Sequence, residues 1–124
     1  MDAKDTKKML IAFLKEIESG EFNNLNENDF GITYEDYCKV LEIIYDNGFA
    51  KDMYEIPVSG CPYNQYKLLN IRLTLEGIDY LIENSAWAKA YKGIKEIKSW
   101  IPGLWLAPKG CFYFTQKGMI AWYT

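Results

Sequence analysis

Residues 26–48 read NENDFGITYEDYCKVLEIIYDNG and contain two helices joined by a short turn. Asn26 is a suitable N-cap for a first helix of a single turn. Thr33 begins a longer helix, because it forms a capping-box-like pair with Asp36 three residues later. With only residues 31–33 between the two helices, this stretch predicts the turn of a helix-turn-helix motif.

The flanking sequence extends this motif on both sides. Apolar residues repeat at helical spacing from Thr6 to Ser19 and predict an amphipathic helix with Asp5 as its N-cap. After the motif, residues 49–57 and 66–74 predict the two strands of a β-hairpin, because apolar and polar side chains alternate in the second. Three helices followed by a hairpin are the element order of a winged helix-turn-helix domain.

Two further helices follow the hairpin in the sequence. Thr74 is a suitable N-cap for the first, and the second is predicted over 86–101 as one continuous helix that Pro102 ends. We therefore expect an α+β fold, with a winged-helix-like domain over residues 1–102 that has three N-terminal helices, a β-hairpin wing and two C-terminal helices. Residues 103–124 form an aromatic-rich C-terminal extension, which we expect to pack on the domain or at an oligomer interface.

The composition removes most of the usual catalytic machinery. The 124 residues include no histidine, which rules out Ser-His-Asp and Cys-His catalysis and imidazole ligands for zinc. The chain has no CxxC motif and no glycine-rich phosphate-binding motif. Pairs of carboxylates lie only on predicted helix surfaces. We expect no enzyme activity, no cofactor and no metal site.

The N-terminal residues and the cysteines bear on the compartment. Residues 1–5 are charged and lack the apolar stretch of a signal peptide, and no run of 18 apolar residues is present. An odd number of cysteines without a leader favours free thiols in a reducing compartment. We expect a cytoplasmic protein without a membrane partner.

The net charge of −3 is unevenly distributed along the chain. Residues 1–66 carry six lysines and 13 acidic residues, whereas residues 67–124 carry eight basic and four acidic residues. The predicted helix over 34–46 contains four acidic residues and one lysine. This is the helix that enters the major groove in a helix-turn-helix protein, and its negative charge would oppose binding to phosphates.

Several stretches of the sequence resemble the YjcQ-like family of small bacterial and prophage proteins. They are LKEI at 14–17, NENDFGIT at 26–33, LTLEG at 73–77 and, above all, WAKAYKGIKEIKSWI at 87–101. The resemblance covers roughly residues 5–101. It implies a winged-helix-like fold and a phage or prophage setting, in a bacterial or phage-infected cell. It implies no catalytic residues.

We interpret the chain as a non-enzymatic protein that acts through contact with an unknown protein partner. The acidic helix and the C-terminal tryptophans supply the candidate partner-binding residues, and the aromatic tail could instead join copies of the chain in a homo-oligomer. The candidate residues are Glu35, Asp36, Lys39, Glu42, Trp100 and Trp105.

Two alternatives stay open. A DNA-binding transcriptional regulator would contact nucleic acid through basic residues of the wing or through the lysine-rich face of the last helix, although a chain with one arginine is a poor starting point for DNA recognition. Those residues are Lys51, Lys67 and Arg72 in the wing and Lys89, Lys92, Lys95 and Lys98 in the helix. The other alternative is a small phage inhibitor of a host enzyme.

Overall fold

The computed structural model describes residues 1–101, 111–114 and 120–123. These residues form a mixed α+β fold whose helices and single long hairpin fit a winged-helix-like arrangement, as predicted. In chain order the elements are α1 (Ala3–Ser19), a 3₁₀ turn (Phe22–Asn24), α2 (Glu27–Phe30), α3 (Tyr34–Asp46), β1 (Ala50–Ile56), β2 (Gln65–Leu73), α4 (Leu75–Glu83), α5 (Ser85–Ala90), a second 3₁₀ turn (Ile94–Glu96), α6 (Ile97–Trp100), β3 (Cys111–Phe114) and β4 (Ile120–Tyr123). Strands β1 and β2 form one antiparallel pair, and β3 and β4 form another.

An aromatic cluster fixes how the first three helices pack. The ring of Phe13 on α1 lies 4.4 Å from that of Phe30, 5.1 Å from that of Phe22 and 5.4 Å from that of Tyr37. All four side chains are almost fully buried. Burying one such ring contributes about 1.5–3 kcal/mol, so this cluster is a main source of stability for the helix-turn-helix.

The helix starts follow local capping. Asn26 caps α2 in a complete capping box, and Thr33 accepts a hydrogen bond from the backbone N–H of Asp36 at 3.1 Å. Both confirm the predicted N-caps. For α1 the prediction was wrong by one turn, because Asp2 Oδ1 accepts from the N–H of Asp5 at 2.8 Å and the helix begins at Ala3.

The end of α3 is joined to the start of α4. Thr74, the predicted N-cap of α4, accepts from the N–H of Gly77 at 3.3 Å, donates its own N–H to the carbonyl of Phe49 at 3.0 Å and hydrogen-bonds through Oγ1 to the carbonyl of Gly48. A side chain at Gly77 would collide with that same Phe49 carbonyl oxygen. The start of α4 therefore packs against the connection that follows α3 as closely as glycine allows.

The wing is irregular near its base. Lys51 pairs with Arg72, but the register shifts before Met53, and Asp52 and Asn70 have positive φ of 64° and 57°. The side chain of Asn23 accepts from the N–H of Ile71 at 3.2 Å and donates to Asn70 Oδ1 at 3.4 Å. The bulge is thus held by the 3₁₀ turn after α1.

The prediction of one helix over 86–101 is wrong. Helix α5 ends at Ala90, Tyr91 is extended with φ −71° and ψ 119°, and Gly93 has φ 113°. The chain then resumes in a 3₁₀ turn and α6. Glycine tolerates this positive φ, and the extended residue lets the Tyr91 side chain enter the core.

Two further predictions concern cysteines and membranes. Cys38 is buried and free, as expected, whereas Cys61 is disulfide-bonded, so the prediction of free thiols was wrong for that residue. In the part of the chain that the structure describes, no helix combines the length and apolarity that a bilayer span requires.

Candidate functional site

The outer face of α3 carries a row of charged side chains. Glu35, Lys39, Glu42 and Asp46 follow one another at spacings that place them on the same side of the helix. Lys39 Nζ lies 2.8 Å from Glu35 Oε2. The hydrogen bond to Glu35 raises the pKa of Lys39 above its ordinary value. The ion pair offsets the positive charge of Lys39. Glu42 and Asp46, which are nearer the hairpin, leave the row acidic there.

Tyr66 joins α3 to the wing near the end of that helix. The ring of Tyr66 on β2 lies 5.5 Å from that of Tyr45 on α3, and its hydroxyl donates to Glu55 Oε2 at 3.4 Å. Burial, followed by the nearby charges of Glu55, Glu42 and Asp46, raises the pKa of Tyr66 far above its ordinary value. We name these five residues, Glu42, Tyr45, Asp46, Glu55 and Tyr66, the acidic face.

The acidic face combines charge with an accessible apolar ring. Tyr45 is 41 % exposed, while Glu42, Asp46 and Glu55 lie at the surface around it. Of the predicted partner-binding residues, Glu42 belongs to the acidic face, and Glu35 and Lys39 continue it along α3. Asp36 lies a quarter turn away, beside Thr33. Glu55 was missed because only the hairpin packing brings it next to α3.

The predicted basic residues of the wing lie at two places along the hairpin. Lys51 and Arg72 are cross-strand neighbours, while Lys67 lies opposite Tyr54. Arg72 Nη2 is 2.8 Å from Asp52 Oδ2, and this ion pair neutralises the only arginine of the chain.

The four predicted lysines of the last helix are exposed but lie on different elements. Lys89 is on α5, Lys92 follows it in the connection, Lys95 lies in the second 3₁₀ turn and Lys98 is on α6. The break at residues 91–93 therefore distributes these lysines over several elements, whereas the sequence predicted one continuous helix.

Trp100 contacts α1 rather than standing at the surface. Its indole Nε1 donates to the carbonyl of Lys8 at 2.8 Å, and Lys8 Nζ lies 5.3 Å from the ring centroid. Trp87 receives Lys7 Nζ at 5.1 Å in the same way. Through these contacts, both tryptophans pack the segment that follows α4 against α1. Trp105, the other predicted tryptophan, lies outside the described residues.

The thiol of Cys38 is buried in the core. Burial raises the pKa of the Cys38 thiol to about 12, so it stays protonated at neutral pH. No three His, Cys, Asp or Glu side chains among the described residues are grouped so that they could hold a metal ion.

Comparisons with known proteins agree with the resemblance seen in the sequence. Residues 8–100 match the family model described as YjcQ protein. A relative from Bacillus subtilis (strain 168), described as "Uncharacterized protein YjcQ", is 39 % identical over 99 residues, which cover 76 % of this chain and 95 % of the relative. No solved structure matches the chain. The two descriptions name no activity, ligand or partner.

Proposed function

The chain belongs to the YjcQ family, and from that starting point we propose that it is a non-catalytic, phage- or prophage-associated protein that binds another protein through the acidic face. The phage setting of this proposal comes from the family resemblance. The expected cytoplasmic location is part of the same proposal.

One observation carries the choice of surface. Glu55 on β1 accepts a hydrogen bond from the hydroxyl of Tyr66, and the ring of Tyr66 contacts the exposed ring of Tyr45 on α3, the helix that also carries the exposed Glu42 and Asp46. An exposed aromatic ring surrounded by charge of one sign resembles the anchor and rim of a protein interface. The complementary partner presents a basic protein surface.

The same observation argues against DNA as the partner. The acidic row along α3, which includes Glu35, Glu42 and Asp46, lies on the helix that enters the major groove in a helix-turn-helix protein. Each carboxylate there adds repulsion from phosphates instead of releasing counterions. We therefore propose a protein partner in preference to the transcriptional-regulator alternative.

The test is co-purification of the tagged full-length chain from host lysate, followed by mass spectrometry. A triple variant, Glu42→Lys, Asp46→Lys and Glu55→Lys, should lose the partner. A control variant with Glu21→Lys and Glu96→Lys, which reverses two exposed carboxylates elsewhere, should retain it. If the partner is a host enzyme, its activity with and without the chain tests the inhibitor alternative directly.

A titration against random duplex DNA at low salt tests the transcriptional-regulator alternative. Binding in the micromolar range that weakens as salt rises, and that disappears when the surface lysines are reversed, would overturn the proposal. Equal capture of one protein by the wild-type chain and the triple variant would also exclude the acidic face as the binding surface.

A further inference from the structure

Helix α4 exposes a stripe of large aliphatic side chains. Leu75, Ile78 and Ile82 are 68 %, 40 % and 65 % exposed. They lie at positions i, i+3 and i+7, so they form one line along two turns of the helix, about 10 Å long. Gly77 and Leu81 bury the other side of α4 against the domain. Apolar residues grouped in this way at a surface mark interaction sites.

A groove runs beside this stripe on the side of α1. One cleft of about 210 Å³ lies between α1, α4 and α5, and a second of about 390 Å³ lies between α1, β2 and α4. Ile78 and Glu18 line both clefts, so the two are adjacent. A partner that lies along α4 could insert apolar side chains into these clefts.

An acidic row borders the stripe on its other side. Glu76, Asp79 and Glu83 are exposed and, like the stripe, are spaced i, i+3 and i+7 along α4. Among the described residues none of the three makes an ion pair, since the salt bridges found there join other residues. The three carboxylates can therefore pair with basic side chains of a partner that covers the stripe.

We propose that α4 is a docking site for an amphipathic helix of another protein, one with an apolar ridge and a row of lysines or arginines along one flank. The ridge packs on Leu75, Ile78 and Ile82, and the basic flank faces the acidic row. This is the helix-in-groove mode of recognition. The site is separate from the acidic face of α3, and its test is independent of the proposed function.

A second copy of the chain fits this surface less well. A two-fold pairing of antiparallel α4 helices brings the acidic rows of both copies to the same side, against each other. Charge complementarity therefore favours a basic, amphipathic helix over self-association.

The probe is a fluorescently labelled, designed 18-residue helix with leucines spaced i, i+3 and i+7 and lysines along one flank. Fluorescence anisotropy with the full-length chain should show binding at least tenfold tighter than for the same peptide with glutamates in place of the lysines. The double variant Leu75→Ser with Ile82→Ser should weaken binding at least tenfold. Asp79→Lys with Glu83→Lys should reverse the preference between the two peptides.

Matched controls separate this site from other surfaces. Leu69→Ser removes an aliphatic side chain on β2 that is 50 % exposed and should leave binding unchanged. Glu42→Lys with Asp46→Lys should also leave it unchanged, because those carboxylates belong to the acidic face. Circular dichroism melts confirm that each variant is folded before titration.

Several results would overturn the inference. They include no binding of the lysine peptide, equal binding of both peptides, or loss of binding in the Glu42 and Asp46 variant. A concentration-dependent dimer that Leu75→Ser with Ile82→Ser dissociates would identify a second copy as the occupant. Carbodiimide cross-links within one chain from Glu76, Asp79 or Glu83 to Lys109 or Lys117 would identify the chain's own C-terminal segment instead.

Discussion

The hydroxyl of Tyr91 donates a 2.7 Å hydrogen bond to Glu16 Oε2, joining residues 75 positions apart in the sequence. Both side chains are buried, and the carboxylate belongs to the central helix α1. This bond holds the chain at the point where the C-terminal helix breaks. The stability of the fold should therefore depend on it.

Replacing Tyr91 with phenylalanine should destabilise the protein by about 1–3 kcal/mol at pH 7, because the Glu16 carboxylate remains buried without its donor. Urea denaturation at pH 7 measures this. Tyr54→Phe, at a tyrosine that is 52 % exposed, is the matched control and should change stability little. Equal stability of both variants would contradict a structural role for the bond.

Gly77→Ala should destabilise the domain by about 1–3 kcal/mol, because the new methyl group meets the Phe49 carbonyl oxygen and must push α4 away from it. Thermal denaturation gives the effect as a lower melting temperature. Asp79→Ala, an exposed change on the same helix, should stay within about 0.5 kcal/mol of the wild type. If the Gly77→Ala variant has the same melting temperature as the wild type, the start of α4 and the backbone at Phe49 are not in close contact.

Asn23→Ala should loosen the base of the wing. The variant loses the acceptor for the N–H of Ile71 and the partner of Asn70. Hydrogen exchange at the Ile71 amide should accelerate, and global stability should fall by about 1 kcal/mol. The neighbouring exposed change Asn24→Ala should leave that amide protected. An unchanged exchange rate at the Ile71 amide in the Asn23 variant would show that the bulge does not depend on the Asn23 side chain.

Stability should fall as the pH rises above about 9. Burial raises the pKa of Cys38 from 9.0 to about 12, and it raises the pKa values of Tyr34 and Tyr91 well above 10.0. In this range the unfolded chain loses protons that the folded chain retains, so the free energy of unfolding decreases with pH. Each such group contributes up to about 1.4 kcal/mol per pH unit.

Urea denaturation between pH 8 and 10.5 measures this slope. A Cys38→Ala variant removes one of the groups and should give a shallower decline. A profile that stays flat in the wild type, or a slope that Cys38→Ala leaves unchanged, would contradict the assignment.

The C-terminal extension can be tested by ending the chain after Pro102. If residues 103–124 pack on the domain or at an oligomer interface, the shortened chain should have a lower melting temperature or a different mass in solution. Light scattering and thermal denaturation measure the two quantities. No change in either would mean that these residues contribute neither packing nor assembly.

The predictions that succeeded depend on short-range chemistry. Asn26, Thr33 and Thr74 were recognised as N-caps because a cap is satisfied within three residues of its own position. The element order from α1 to α4 followed from these signals and from apolar periodicity. The family resemblance was recognised from residues 87–101 and shorter motifs, and the comparisons confirm it.

The predictions that failed depend on distant contacts. The lysines after residue 86 continue at helical spacing across the break, so periodicity gave no sign of it. The break instead accompanies the insertion of Tyr91 toward Glu16, on a helix near the other end of the chain. In the same way, α3 was recognised as acidic, but the approach of Glu55 to Tyr66 requires the register of the wing.

The close junction between Thr74, Gly77 and the carbonyls of Gly48 and Phe49 has a geometric consequence. It joins the start of α4, which carries the aliphatic stripe, to the connection directly after α3, which carries the acidic face. Two ligands held on these surfaces would be presented at one fixed distance and angle. If both proposed surfaces bind their partners, the domain would act as a bivalent connector that raises the effective concentration of one partner near the other.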